Sequence, residues 1–108
     1  MIVVNRFRVP EDTQVEEAFR SDAFAALGAL AARPGYVDGL LGRNLDEPGL
    51  WLVTTTWADV GSYRRVLSSY DVKVTAVPLL SRAVDEPSAY EVVEPGTTTN
   101  EQRVRELD

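Results

Sequence analysis

The 108-residue sequence contains no cysteine and no histidine, and its only lysine is Lys73. Without cysteine, the chain cannot form a disulfide, a thiolate nucleophile or an iron–sulfur cluster with cysteine ligands. Without histidine, it has no imidazole base near neutral pH, no Ser-His-Asp triad and no histidine ligand for zinc or heme. Hydroxyl, amide, indole, carboxylate and guanidinium groups are therefore the side chains left for chemistry.

The chain also lacks a basic surface and a long apolar run. Its formal net charge is -6. Because polyanions are bound by clustered lysine and arginine, we expect no nucleic-acid partner and no membrane partner. No apolar run approaches the roughly 20 residues that span a bilayer, and the N-terminal residues lack the apolar segment of a signal peptide. We therefore expect a cytoplasmic protein, and the high content of alanine, valine and arginine suggests a GC-rich bacterial source.

The most informative segment is one in which a strand pattern changes into a helix pattern. Residues 50–57 alternate along the chain and are rich in β-branched and aromatic residues, which predicts a strand. Asp59 is suited to cap a helix, and apolar residues then recur at helical spacing. The large aromatic residues Trp57 and Tyr63 therefore flank a predicted strand-to-helix junction.

The remaining patterns complete the order β-α-β-β-α-β. Strands are predicted at residues 2–9, 36–45 and 88–94, a first helix at 13–32, and an interruption of the second helix near 68–71. This order is typical of a ferredoxin-like α+β domain, in which both helices cover one face of an antiparallel four-stranded sheet. We expect the domain to span residues 1–95 and residues 96–108 to form a polar C-terminal tail, in which 100–107 could form a short helix.

Three local signals refine these boundaries. Thr13 and Glu16 have the spacing of a capping box at the start of the first helix. The sequence Arg33-Pro34-Gly35 predicts its end and a turn. Pro48 and Gly49 suit the two central positions of a type II turn, which would join the second and third strands as a hairpin.

One face of the predicted sheet is left without a cover. It carries Ile2, Val4 and alternate residues of the third strand, which are too apolar to remain in water. A second copy of the chain, packed sheet to sheet, would cover this face. We therefore expect a homodimer.

Four segments resemble the antibiotic biosynthesis monooxygenase family of the dimeric α/β-barrel superfamily. They are IVVNRF on the first strand, RPGYVDGLLGR leading into the second, LWLVTTTW on the third and YEVV on the fourth. The resemblance implies a homodimer whose sheets form a barrel, with a pocket between sheet and helices in each subunit.

One branch that the chain resembles oxidises aromatic polyketides with molecular oxygen and needs neither a metal nor an organic cofactor. Its site has a tryptophan that ends the third strand and a tyrosine in the next helix, which Trp57 and Tyr63 match. An asparagine of that site is replaced here by Val53. A later arginine falls near Val77, with Arg82 as the nearest candidate.

The resemblance also implies the other site residues. Asn5 matches an asparagine on the first strand of heme-degrading relatives. Trp57, Tyr63 and Asn5 are thus the predicted catalytic residues, and Arg82, Val53 and Phe7 the predicted contacts of a small aromatic substrate. No group of carboxylates has a spacing that argues for a metal.

Two alternatives stay open beside the oxygenase. A heme-degrading enzyme is disfavoured because the chain has no histidine to act as axial ligand. A non-catalytic dimeric module that binds a small molecule fits the replaced asparagine, and each candidate also has an ordinary structural explanation. Trp57 and Tyr63 could be core aromatics, and the Asn5 amide could bond to a loop. A pocket that reaches these three side chains would favour the enzyme, whereas solid packing would favour the module.

Overall fold

The structure is a computed structural model in which residues 1–96 are described. Its elements are β1 (Ile2–Arg8), α1 (Thr13–Ala31), β2 (Tyr36–Arg43), β3 (Leu50–Trp57), α2 (Val60–Val66), α3 (Tyr70–Thr75), α4 (Val77–Leu80) and β4 (Ala89–Tyr90). The strands form one sheet in the order β2-β3-β1-β4, and each neighbouring pair is antiparallel. The predicted α+β, ferredoxin-like fold is confirmed. The predicted helix at 100–107 and most of the predicted tail lie outside the described residues.

Alternation along the strands separates a buried face from an open one. The core lies between the sheet and the helices, and its large members include Phe7, Phe19 and Trp57. The opposite face carries Ile2, Val4 and the even-numbered residues of β3, all partly exposed. This is the uncovered apolar face that the sequence predicts.

The first helix begins one residue earlier than the capping box predicts. Asp12, not Thr13, is the N-cap, and its carboxylate accepts hydrogen bonds from the backbone N–H groups of Gln14 and Val15. A carboxylate at this position satisfies two of the N–H groups that have no partner within the helix. The Thr13–Glu16 capping box is therefore wrong.

The strand-to-helix junction forms as predicted. Asp59 caps α2, and its carboxylate accepts a hydrogen bond of 2.7 Å from the backbone N–H of Ser62. The second helical region is divided into α2, α3 and α4, with the first division at residues 67–69. Pro78 lies in the first turn of α4, where a missing N–H costs no hydrogen bond.

The two predicted turns differ in outcome. At the end of α1, Pro34 and Gly35 occupy the centre of a turn in which the N–H of Tyr36 donates to the carbonyl of Arg33. Gly35 has φ of 90°, as the second central residue of a type II turn requires. In the β2–β3 hairpin, the predicted type II turn is wrong because Gly49 does not have positive φ.

The fourth strand is much shorter than predicted. Only Ala89–Tyr90 pair with β1, whereas the prediction extended over residues 88–94. The preceding loop is held to β1 by Arg6, whose Nε donates to Glu86 Oε2 at 2.7 Å. Within residues 1–96, no helix combines the length and the apolar character needed to cross a membrane.

Gly35→Ala should destabilise the fold by about 2 kcal/mol or more, because a methyl group at positive φ is strained and would overlap Ser62 Cβ. Gly28→Ala is the matched control. Gly28 lies in α1 with open space around it, so alanine there should be neutral or stabilise by about 0.5–1 kcal/mol. Urea unfolding of both variants measures the difference. Equal effects would contradict the close approach of Gly35 and Ser62.

Candidate functional site

Trp57 is a fully buried anchor at the end of β3. Its side chain is 1% exposed, and its Nε1–H donates to Thr55 Oγ1 at 2.9 Å. The ring packs edge-on against Tyr36, with centroids 5.4 Å apart, and against Tyr63 at 5.6 Å. Since its one polar group is already bonded within the protein, Trp57 acts on the site by holding its neighbours in place.

Tyr63 links this anchor to an open cavity. It lies in α2, packs against the core through its ring and is partly buried. Burial raises the pKa of the Tyr63 phenol above its usual value of 10.0, because the charged form loses solvation. Tyr63 is therefore a neutral hydroxyl at neutral pH, suited to donate a hydrogen bond rather than to act as a base.

The cavity beside Tyr63 has a volume of about 300 Å³. Its walls come from α2, from β4 and from the start of the chain. They are formed by Met1, Val60, Tyr63, Arg64, Ala89, Tyr90 and Glu91. The wall therefore combines apolar groups and a neutral phenol with the Arg64 guanidinium and the Glu91 carboxylate, so it offers a hydrogen-bond donor and charges of both signs to a small molecule.

Asn5 lies elsewhere on the same face of the sheet. In the β1–β3 ladder it is directly opposite Val53, which is fully buried. The Asn5 side chain is partly buried, and no hydrogen bond joins its amide to another of the described residues. The alternative of an amide bonded to a loop is therefore not what the structure has. Asn5 does not line the cavity beside Tyr63.

The other predicted substrate contacts lie around α1. The rings of Phe7 and Phe19 pack with their centroids 5.1 Å apart. The guanidinium of Arg82 lies over the Phe19 ring, 5.9 Å from its centroid. Arg82 also pairs with Asp22, Nη1 to Oδ2, at 3.2 Å. Phe7 and Val53 are core residues, and Arg82 lines a separate cavity of about 290 Å³.

The structure thus joins Trp57 to Tyr63 and leaves the other four predicted residues away from the Tyr63 cavity. Sequence reasoning missed Arg64 and Tyr90 as wall residues. A signal for Arg64 was present, since Val60, Tyr63 and Arg64 have i, i+3, i+4 spacing and share one helix face. Tyr90 could be placed only through the pairing of Ile2 with Tyr90 in the sheet.

The charged groups near the cavity do not form a cluster of metal ligands. Among residues 1–96, no three histidine, cysteine, aspartate or glutamate side chains are grouped so that they could hold a metal ion. Arg64 takes part in none of the ion pairs found among these residues. It is a fixed positive charge next to a neutral hydrogen-bond donor.

Fold and cavity together define a small α+β domain whose site opens beside a strand-to-helix junction. The sequence profile described as antibiotic biosynthesis monooxygenase matches residues 1–76. The chain belongs to this family. No curated protein sequence matches it.

Solved structures with the same fold include SnoaB from Streptomyces nogalater, described as a cofactor-independent oxygenase. It is 24% identical, with a TM-score of 0.71 over 86% of this chain and 92% of SnoaB. A mutant of SnoaB is 25% identical, with a TM-score of 0.65 over 77% of this chain and 82% of that chain. A conserved protein from Methanosarcina mazei Go1 is 22% identical, with a TM-score of 0.64 over 82% and 84% of the two chains.

The raised pKa of Tyr63 predicts how stability depends on pH. Stability associated with the neutral phenol is present below pH about 10 and is lost as the pH rises towards the folded-state pKa. The free energy of unfolding of the wild type should therefore fall more steeply above pH about 10 than that of Tyr63→Phe. Burial also raises the pKa of Tyr36. Because Tyr36 is present in both proteins, its contribution cancels in the comparison. Parallel curves from urea unfolding would contradict the burial of the Tyr63 hydroxyl.

Proposed function

We propose that this protein is a cofactor-independent monooxygenase that oxidises an electron-rich, hydroxylated aromatic molecule of polyketide type with molecular oxygen. We further propose that it acts as a homodimer in the cytoplasm. The observation that carries the proposal is the buried Trp57 holding Tyr63 at the wall of an open cavity. Membership of the antibiotic biosynthesis monooxygenase family supports the reaction class.

The reaction needs no group beyond substrate and oxygen. A hydroxyanthrone loses a proton from its CH₂ group, and the carbanion gives one electron to O₂. The substrate radical and superoxide combine, and protonation gives a hydroperoxide. Loss of water then leaves a carbonyl, so one oxygen atom enters the quinone and the other leaves as water. The protein has to bind the anion, stabilise its charge and exclude bulk water.

Each of these tasks has a candidate in the cavity wall. Tyr63 donates a hydrogen bond to the oxyanion of the deprotonated substrate, and Arg64 stabilises the same charge. Met1, Val60 and Ala89 supply the apolar wall. Trp57 positions the Tyr63 ring without touching the substrate.

The remaining predicted residues have more limited roles in this scheme. The amide of Asn5, which lacks a partner among the described residues, is a candidate for a contact with a substrate that extends under α2. Val53, Phe7 and Arg82 take no step in it. The chain has no histidine or cysteine that could remove the substrate proton. We therefore propose that bound water or the Glu91 carboxylate in the cavity wall accepts this proton.

Tyr63→Phe should lower oxygen consumption with a hydroxyanthrone about a hundredfold, because the developing oxyanion loses a hydrogen-bond donor. Tyr70→Phe is the matched control. Tyr70 is 78% exposed on α3, so the loss of its hydroxyl should leave the rate unchanged. An oxygen electrode gives both rates. The proposal fails if the wild type consumes no oxygen with any hydroxyanthrone, or if the two variants behave alike.

A second candidate is a non-catalytic module that binds a small molecule. The specific observation in its favour is the solid packing of Trp57. Of the three predicted catalytic residues, Tyr63 alone lines the cavity. Saturable binding of a hydroxyanthrone under air, without oxygen consumption or quinone formation, would support the module and exclude the enzyme.

The proposed dimer uses the open face of the sheet. Val4 and Leu40 both lie opposite Thr54 in the sheet and therefore project from the same face. Leu40 is 53% exposed, and on this face it adds to the partly exposed apolar side chains of Val4 and Leu52. A second copy that packs its own sheet here would remove this surface from water.

Leu40→Asp should convert a dimer into a monomer, because the interface would bury an unpaired carboxylate. Val74→Asp is the matched control. Val74 is 56% exposed on α3, on the helix side of the sheet, so a charge there should leave the assembly intact. Light scattering after size-exclusion chromatography gives the masses. A monomeric wild type, or a dimeric Leu40→Asp, would exclude this interface.

A further inference from the structure

A separate cavity lies between the turn after α1 and the side of α2 that carries Ser62 and Val66. Its volume is about 210 Å³, and it is lined by Arg33, Pro34, Ser62, Arg65 and Val66. None of these residues lines the cavity beside Tyr63. Two guanidinium groups on one small cavity are notable in a chain whose net charge is -6.

Arg33 brings a buried N–H group without a hydrogen-bond partner to this cavity. Its Nε is buried, and no hydrogen-bond partner for it exists among the described residues. Arg33 also takes part in none of the ion pairs, which use Arg6, Arg8, Arg43 and Arg82. Buried N–H groups are nearly always bonded, and one on a charged group is especially costly to leave open.

Arg65 supplies the second positive group from a different element. It lies on the exposed side of α2, and its Nη2 donates to Ser62 Oγ at 3.3 Å. The nearby carboxylate is that of Asp59, which is already engaged by the backbone N–H of Ser62. That hydrogen bond, with a smaller contribution from Arg65, keeps the pKa of Asp59 below its usual value. The positive charge of the two guanidinium groups therefore exceeds the negative charge of the Asp59 carboxylate.

Backbone contacts hold together the two segments that carry the arginines. Because Gly35 has no Cβ, Ser62 packs directly on the turn that follows Arg33. The N–H of Ala58 donates to the carbonyl of Gly35 at 2.7 Å, which ties this turn to the start of α2. Arg33 and Arg65 therefore face one cavity from two elements that are bonded to each other.

We propose that this cavity binds an oxyanion, the carboxylate or phosphate group of a small molecule, between Arg33 and Arg65. The planar guanidinium groups match the paired oxygens of such anions. A volume of about 210 Å³ accommodates the anionic group and a short attached chain rather than a polycyclic aromatic. The site does not depend on the proposed oxygenase activity.

The test is calorimetric titration of the full-length protein with inorganic phosphate and with acetate, in low chloride. At least one probe should bind saturably, once per chain, and the preferred probe identifies a phosphate or a carboxylate site. Arg33→Gln and Arg65→Gln should each weaken binding roughly tenfold or more, the loss expected for a charge-assisted hydrogen bond. Arg65 is exposed, so its variant serves if Arg33→Gln does not fold.

Arg20→Gln is the control for a general loss of positive charge. Arg20 is exposed on α1 and outside the ion pairs found among the described residues. Its replacement should leave the affinity unchanged. The proposal is overturned if neither probe binds saturably, or if Arg20→Gln weakens binding as much as Arg65→Gln.

Discussion

The site depends on the burial of Trp57 where β3 passes into α2. The indole packs against the rings of Tyr36 and Tyr63, and its N–H is bonded to Thr55. A ring held in this way cannot turn away, so the first turn of α2 has a fixed place over the sheet. Because Tyr63 lies in that turn, a core contact determines where a polar hydroxyl meets the cavity. The packing of the core around Trp57 therefore also sets the position of Tyr63 in the candidate site.

The strands and the junction could be predicted because their signals are local. Alternation in β3 and the cap at Asp59 act over a few residues, and both are present in the structure. The predictions were wrong where two neighbouring residues could each cap a helix, where a turn could form in more than one way, and where strand pairing sets the length of a strand. Asp12 caps α1 instead of its neighbour, and Gly49 forms its turn without positive φ. The fourth strand ends at Tyr90 because β1 pairs with only two of its residues.

The candidate site, like the fold, could be predicted only where its residues are close together in the sequence. The contact of Trp57 with Tyr63 follows from one short segment of sequence, but the cavity wall joins the two ends of the domain. Tyr90 reaches it only because β4 lies beside β1. In the proposed function, the chemistry is assigned to the Tyr63 phenol and the Arg64 guanidinium. Such a site stabilises a charge that the substrate itself develops.

In the proposed function, the cavity beside Tyr63 holds the anion of a hydroxylated aromatic. The most direct measurement is anaerobic titration with a hydroxyanthrone, followed by amide chemical shifts. We expect saturable binding, the absorbance of the deprotonated ligand, and shifts concentrated at Val60, Tyr63, Arg64 and Tyr90. Binding that instead perturbs Arg82 and the residues around α4, or no saturable binding at all, would contradict it.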